Sequence, residues 1–266
     1  MQYRQVITMA EMSVAEVGRR LVRAGRLDSK PLCVYGTEVV ESEWIPTGKI
    51  DFCLVKVFLK LAMGNFPPAF AGVDTLKGCC PGGATHLGLI KAPDGLKYFI
   101  STGDPSFRGG EAEYLRRSPQ MIEETSKVIG KITPLSKNIV FRPCADLEDE
   151  DPGVVSVMCL GTAEQIRNIF ALDYFSSTDV FGSIVVPAGS ACATLVTYPS
   201  GMSANSPRNA MFAGPTDPTV NHYFPHDFMG VGIPIKVAKR MCEPIEESFV
   251  VKRPHVAYPE KRDALE

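Results

Sequence analysis

The chain has 266 residues, a formal net charge of −2 at pH 7 and a sequence pI near 6.1. This balance gives no electrostatic reason to expect nucleic acid or an anionic membrane surface as a partner. Hydrophobic residues make up 45% of the chain, which suffices for a real core, and no apolar stretch approaches a membrane span. We therefore predict a globular protein that binds a small-molecule ligand or substrate, with no nucleic acid and no membrane, and leave its oligomeric state open.

The cysteine and leader patterns indicate an intracellular protein with reduced thiols. Charged residues run through the first thirty positions, so no secretion leader is visible and we expect a cytoplasmic location. The eight cysteines are scattered along the chain, which favours free thiols over a disulfide framework. No C-x-x-C, H-E-x-x-H, G-x-G-x-x-G or P-loop pattern occurs. Any metal site must therefore be assembled from distant cysteines.

The first elements carry clear helix and strand signals. Ser13 and Glu16 form a capping-box pattern ahead of an apolar face, which predicts a helix. The sequence then predicts a strand over 32–40 and an apolar-faced helix over 51–62. Cys53 falls in the first turn of that second helix, so its thiol lies near a helix N-terminus.

The most informative stretch reads Cys79, Cys80, Pro81, Gly82 and Gly83. Proline suits the first helical position, which predicts a helix with Cys80 at its N-cap. The unpaired N–H groups and the dipole there favour a thiolate and attract an anionic ligand or cluster. Gly82 and Gly83 allow the backbone to approach a bound group closely. The alternative is that both cysteines are small buried hydrophobes and the glycines serve packing.

The rest of the chain continues the mixed pattern. We predict strands over 96–101, 138–142, 154–160 and 231–235, and an edge strand over 249–251. We predict helices over 111–129 (broken at Pro119), after the capping box of Thr162 and Gln165, and over 236–241. A short helical or turn segment with Cys192 is expected to start at 190–193. A solvated acidic loop is expected over 146–151, and a loosely ordered tail from 254. The predicted class is α/β or α+β, with mixed sheets and flanking helices.

Short landmarks recur in the same order in both halves of the sequence. The segment 32–38 is echoed by 158–164, and Phe-Ala-Gly at 70–72 recurs at 212–214. This repetition predicts two pseudo-symmetric halves, 1–135 with Cys53 and Cys80 and 136–266 with Cys192. One compact domain is the alternative.

The same alignment relates the candidate ligands to one another. Cys53 precedes the first Phe-Ala-Gly by 17 residues, and Cys192 precedes the second by 20. His222 follows the second landmark at the distance at which Cys80 follows the first. A pseudo-two-fold arrangement would bring all four to one site between the halves.

Several of these motifs together resemble a known family. The motifs are Cys80-Pro81-Gly82-Gly83, Leu87-Gly88-Leu89, Ser190-Ala191-Cys192-Ala193, Gly214 followed by an aspartate, and Gly232-Ile233-Pro234. In this order, from about Cys53 to Lys239, they resemble the ArCR family of soluble prokaryotic proteins, domain of unknown function 169. The resemblance implies recurring cysteines at Cys53, Cys80 and Cys192, whereas arginine often stands at the position of His222. The family has no established function and implies no substrate.

Three converging thiolates suit an iron-sulfur cluster of the 4Fe-4S type with one iron open to a substrate. Such a site favours non-redox chemistry, as in a lyase or desulfurase. The same thiols with His222 or water would equally suit zinc. The other hypotheses are a metal-free thiol enzyme with Cys80 as nucleophile and a non-catalytic protein that binds a cluster, metal or anion. Whether the protein is an enzyme is left open.

Overall fold

The computed structural model describes residues 12–75, 78–148 and 150–258. Its strands are Leu32–Thr37 (β1), Ile45–Pro46 (β2), Ala69–Gly72 (β3), Asn138–Pro143 (β4), Ser156–Thr162 (β5), Ile184–Val185 (β6), Met211–Gly214 (β7) and Phe228–Pro234 (β8). They form one mixed eight-stranded sheet in the order β2-β3-β4-β1-β5-β8-β7-β6. The predicted class, a mixed sheet with flanking helices, is confirmed.

Helices flank this sheet. The described α-helices are Val14–Gly25 (α1), Thr47–Ile50 (α2), Leu54–Met63 (α3), Pro81–His86 (α4), Leu96–Ile100 (α5), Pro119–Ile129 (α6), Ala163–Ser176 (α7), Ile235–Cys242 (α8), Phe249–Lys252 (α9) and Pro254–Ala257 (α10). A π-helix covers Cys192–Thr197. None of the described helices has the length and apolar character that crossing a membrane requires.

The strand order is symmetric about the central antiparallel pair β1–β5. On one side β1 is followed outward by β4, β3 and β2, and on the other β5 is followed by β8, β7 and β6. Each outermost pair is parallel, and each inner pair is antiparallel. The two Phe-Ala-Gly landmarks therefore occupy equivalent strands, β3 and β7. The division at residue 135 stays a prediction, and β4 pairs with the first group of strands.

Successive side chains of a strand point to opposite faces of the sheet, and each face has its own hydrophobic core. On β1, Cys33 and Tyr35 join the core beneath α1, α7 and α8, whereas Leu32 and Val34 join the core beneath α3 and the π-helix. This is the period of two that a strand buried on both faces imposes. A fully buried side chain such as Leu32 contributes about 1.5–3 kcal/mol relative to exposure.

Side-chain caps define where the main helices begin. The Ser13 hydroxyl accepts a 3.2 Å hydrogen bond from the Glu16 N–H at the start of α1. At the start of α7 the Thr162 hydroxyl accepts from the Gln165 N–H, and the Gln165 side chain accepts from the Thr162 N–H. Both capping signals read from the sequence are confirmed, the second as a complete capping box.

Other predicted elements are wrong. The predicted strands over 96–101 and 249–251 are wrong: 96–100 form α5 and 249–251 lie in α9, because short apolar runs do not distinguish the two structures. The helix predicted over 111–129 begins only at Pro119, where the Ser118 hydroxyl accepts from the Met121 N–H. The tail from 254 begins with the helical turn α10, and its last part lies outside the described residues.

Candidate functional site at a cluster of thiols

Cys53 lies just before its helix, whereas the predicted helix over 51–62 places it as the third residue. It is the N-cap of α3, with extended backbone angles, and its carbonyl accepts from the Val57 N–H at 3.2 Å. The Asp51 carboxylate accepts from the Cys53 N–H at 3.4 Å and from the Lys60 ammonium at 2.9 Å. These contacts fix the backbone of Cys53 while its partly exposed thiol stands at the free end of α3.

Cys80 is the N-cap of α4, as its place before Pro81 predicts. Its sulfur accepts a 3.1 Å hydrogen bond from the Gly83 N–H. A Cβ atom at Gly83 would lie 3.2 Å from this sulfur and 2.8 Å from the Leu54 Cδ1 atom. Glycine is therefore needed here so that the first turn of α4 can approach both the thiol and α3.

Cys192 begins the π-helix, all six residues of which are buried. π-Helical turns are rare and occur mostly at functional sites. The Thr197 hydroxyl lies 2.5 Å from the carbonyl oxygen of His86 and 3.1 Å from that of Cys192. These contacts hold the C-terminal end of α4 against the π-helix, so the three cysteine-bearing segments pack as one unit.

The thiols of these segments lie close enough to affect one another's ionisation. Burial raises the pKa of the Cys192 thiol well above its usual value, and the nearby Cys80, Cys53 and Cys79 thiols raise it further. Burial also raises the pKa of Cys80, and this outweighs the Gly83 N–H, which lowers it. The structure therefore brings Cys53, Cys80 and Cys192 together. Burial of Cys80 therefore opposes the thiolate that the helix N-terminus favours.

Cys79 is a fourth member of this cluster that sequence reasoning set aside. Its side chain is buried, and burial together with the Cys80 and Cys53 thiols raises its pKa to about 11. The Thr47 hydroxyl lies near enough to lower this pKa, yet it is itself buried without a partner in hydrogen-bond geometry. The adjacency of Cys79 to Cys80 was the sequence signal for its membership.

The remaining predicted site residues, His222 and Gly82, are exposed. His222 is exposed at the end of the 3₁₀ turn Pro218–His222, with its ring centroid 6.2 Å from that of Tyr223. The Lys56 ammonium of α3 stands 4.6 Å from the centre of the same tyrosine ring. Gly82 is exposed, and a Cβ atom there would meet open space.

The donor set fits a thiophilic metal or cluster, although it is not in coordination geometry. Within the described ranges, no group of three or more His, Cys, Asp or Glu side chains is arranged to hold a metal ion. The chemistry of the site nevertheless suits such a group, since thiols gather at helix beginnings beside the orphaned Thr47 hydroxyl. Coordination would require the thiols to rotate toward one another and lose their protons.

The other four cysteines lie in the core on the opposite face of the sheet. They are Cys33, Cys144, Cys159 and Cys242. The Cys33 thiol donates to the Arg142 carbonyl at 3.3 Å, and burial raises the pKa of Cys242 to about 12. These residues behave as small core side chains.

Comparison with known proteins gives one match. The model of a family described as uncharacterised ArCR, a domain of unknown function, matches residues 20–244. This range includes all four thiols of the cluster. No curated protein matches the chain, and no solved structure matches it.

Proposed function

Because this chain belongs to the uncharacterised ArCR family, which supplies no activity, we propose from its own residues that Cys53, Cys80 and Cys192 bind an iron-sulfur cluster of the 4Fe-4S type. The observation that carries the proposal is the convergence of three thiols from distant segments at the beginnings of three helices. Packing alone does not require thiols at all three positions, and the rare π-helix at Cys192 points to function.

Three protein ligands leave one position for a small molecule. When bound, such a cluster supplies a Lewis-acidic iron that polarises a substrate oxygen or sulfur, which is the chemistry of a non-redox lyase or a desulfurase. The protein's part is to hold the ligands and offset their charge. The Gly83 N–H already points at the Cys80 sulfur, and the positive end of α3 lies at Cys53.

The same residues bear on the two alternatives, a metal-free nucleophile and a zinc site. A metal-free nucleophile needs a thiolate near neutral pH, whereas burial raises the pKa of Cys80. Zinc held by the three thiols and His222 would need that exposed histidine to turn inward. A metal or cluster lowers thiol pKa values directly and so overcomes the desolvation that works against the free thiolate.

The proposal is tested by anaerobic purification with quantification of iron, acid-labile sulfide and zinc. We expect iron and sulfide in comparable amounts and a broad visible absorption. If the protein contains zinc and no sulfide, the thiols form a zinc site and not a cluster site. A protein that stays colourless and metal-free after anaerobic reconstitution would overturn both metal hypotheses.

Matched serine variants locate the ligands. Cys53→Ser, Cys80→Ser and Cys192→Ser should each lose most of the iron, while Cys242→Ser, in the opposite core, should keep it. Circular dichroism and thermal unfolding of each variant separate ligand loss from misfolding. Retention of iron by all three site variants would exclude this ligand set.

A further inference from the structure

A cavity next to the π-helix that carries Cys192 is not used by the proposed function. Its volume is about 480 Å³, within the usual range for small-molecule sites. It opens to solvent, and its walls are apolar and polar in nearly equal measure. The apolar part of the wall includes Ala213, Val220, Phe224, Phe228 and Met229.

Asp217 gives the cavity its charge. Among the lining residues it is the one carboxylate, accompanied by the neutral polar Thr216 and Asn221 and by His226. One carboxylate oxygen of Asp217 accepts from the Thr219 N–H at 2.9 Å, which fixes the side chain at the start of the 3₁₀ turn. The carboxylate is therefore held in place at the wall of the cavity.

The field of Asp217 extends to two neighbouring groups. Burial raises the pKa of Glu113, and the Asp217 charge raises it further, with a smaller opposing effect from Arg108. Burial lowers the pKa of His86, and Asp217 opposes this. The negative charge of the Asp217 carboxylate favours a cation in the cavity and repels an anion.

The cavity wall is tied to the segment that carries Cys192. The Thr216 hydroxyl accepts from the Gly189 N–H at 2.9 Å, and the Thr216 N–H donates to the Gly189 carbonyl at 3.2 Å. Gly214, next to the wall, packs so closely on the π-helix that a Cβ atom there would lie 2.6 Å from the Thr194 hydroxyl oxygen. The cavity is thus rigidly connected to the thiol site.

We infer that this cavity binds a compact organic cation, a protonated primary amine with a small apolar body. The amine would pair with Asp217, and its apolar part would pack on Phe224, Phe228 and Val220. The cavity volume of about 480 Å³ accommodates a single ring with a short side chain. The inference does not depend on a bound cluster.

The test compares three probes that share a ring and differ in head group: benzylamine, benzyl alcohol and benzoate. Isothermal titration at pH 8 is performed on the metal-free protein and, separately, on the protein as purified. We expect benzylamine to bind about tenfold or more tightly than benzyl alcohol, with benzoate weakest. Equal affinities for amine and alcohol, preference for benzoate, or no binding of benzylamine would overturn the inference.

Variants assign the binding to the cavity. Asp217→Asn removes the charge while an asparagine oxygen can still cap the Thr219 N–H, so the fold should be kept and the amine preference lost. Asp104→Asn is the matched control, because Asp104 accepts from the Ser106 N–H in the same local pattern outside the cavity. Val186→Trp, at an exposed position of the wall, should reduce binding of amine and alcohol alike.

These outcomes separate the two proposals. If the amine preference survives in Asp217→Asn, the cation site is wrong whatever the metal content. If iron is absent but the amine binds through Asp217, the cation-site inference is supported and the cluster proposal is wrong.

Discussion

The backbone N–H of Cys80 donates a 2.9 Å hydrogen bond to the carbonyl oxygen of Phe52, the residue directly before Cys53. This bond holds the first turns of α3 and α4 side by side, so the two cap positions are neighbours whatever their side chains are. It explains why thiols 27 positions apart in the chain share one site. It also means that serine at either position should leave the backbone of the site intact.

Differential alkylation should reveal this arrangement without any cofactor. Cys53 and Cys80 are partly exposed, whereas the other six cysteines are buried. We expect iodoacetamide to modify these two first, at a rate for Cys80 that still rises above pH 9 because burial raises its pKa. Peptide mapping by mass spectrometry after timed quenching measures the order. Modification of Cys33 or Cys144 at the same rate would contradict the structure.

Reconstitution should change that order in a specific way. If the thiols bind a cluster or zinc, the loaded protein should lose alkylation at Cys53 and Cys80 while the slow reaction of Cys242 stays unchanged. Unaltered reactivity of the two exposed thiols in protein with full metal content would show that the metal is bound elsewhere.

The adjacent glycines Gly82 and Gly83 should respond oppositely to alanine. At Gly83 a Cβ atom would meet Leu54 at 2.8 Å, so Gly83→Ala should destabilise the protein by about 1–3 kcal/mol through overpacking. At Gly82 the added methyl would meet open space, so Gly82→Ala should be neutral or stabilising by up to about 1 kcal/mol through helix propensity. Urea unfolding of both variants measures the difference. Equal effects would mean that α4 does not pack on α3 as described.

Some features of the site could be predicted because their causes are local. A proline and two glycines after Cys80 suffice to predict a cap, since the first helical turn depends on adjacent residues alone. The repeated Phe-Ala-Gly landmarks fall on β3 and β7, which hold equivalent places in the strand order. In contrast, the π-helix at Cys192 depends on packing between β7, β8 and α4, which no local pattern records. Cys79 was set aside because the family resemblance implies only Cys53, Cys80 and Cys192, although its adjacency to Cys80 was a local signal.

The capping box of α7 should contribute measurably to stability. Thr162→Ala removes the side-chain acceptor for the Gln165 N–H, with an expected loss of about 1 kcal/mol. Gln165→Ala should cost more, because the Gln165 amide also donates to the Arg26 carbonyl at 2.8 Å and so joins α7 to the end of α1. Thr162→Ser, which keeps the hydroxyl, is the control and should stay near the wild-type free energy of unfolding. A larger loss in Thr162→Ala than in Gln165→Ala would contradict this ranking.

His86 should make stability depend on pH near neutrality. Burial lowers its pKa in the folded protein, and its Nδ1 atom is buried without a hydrogen-bond partner. The unfolded chain therefore binds a proton more readily than the folded chain as pH falls below about 6.5. The contribution of neutral His86 to the free energy of unfolding is complete above that pH. It declines as pH falls toward the pKa of His86 in the folded protein, by at most about 1.4 kcal/mol for each pH unit.

His86→Gln, which cannot be protonated in this range, should flatten that part of the profile. Urea unfolding from pH 5 to pH 8 compares the variant with wild type, and His255→Gln, at an exposed position, serves as the control and should leave the wild-type slope unchanged. If wild type and His86→Gln lose stability in parallel over this window, then His86 is not the group whose protonation opposes folding, and the packing of α4 on the π-helix would have to accommodate a charged imidazole.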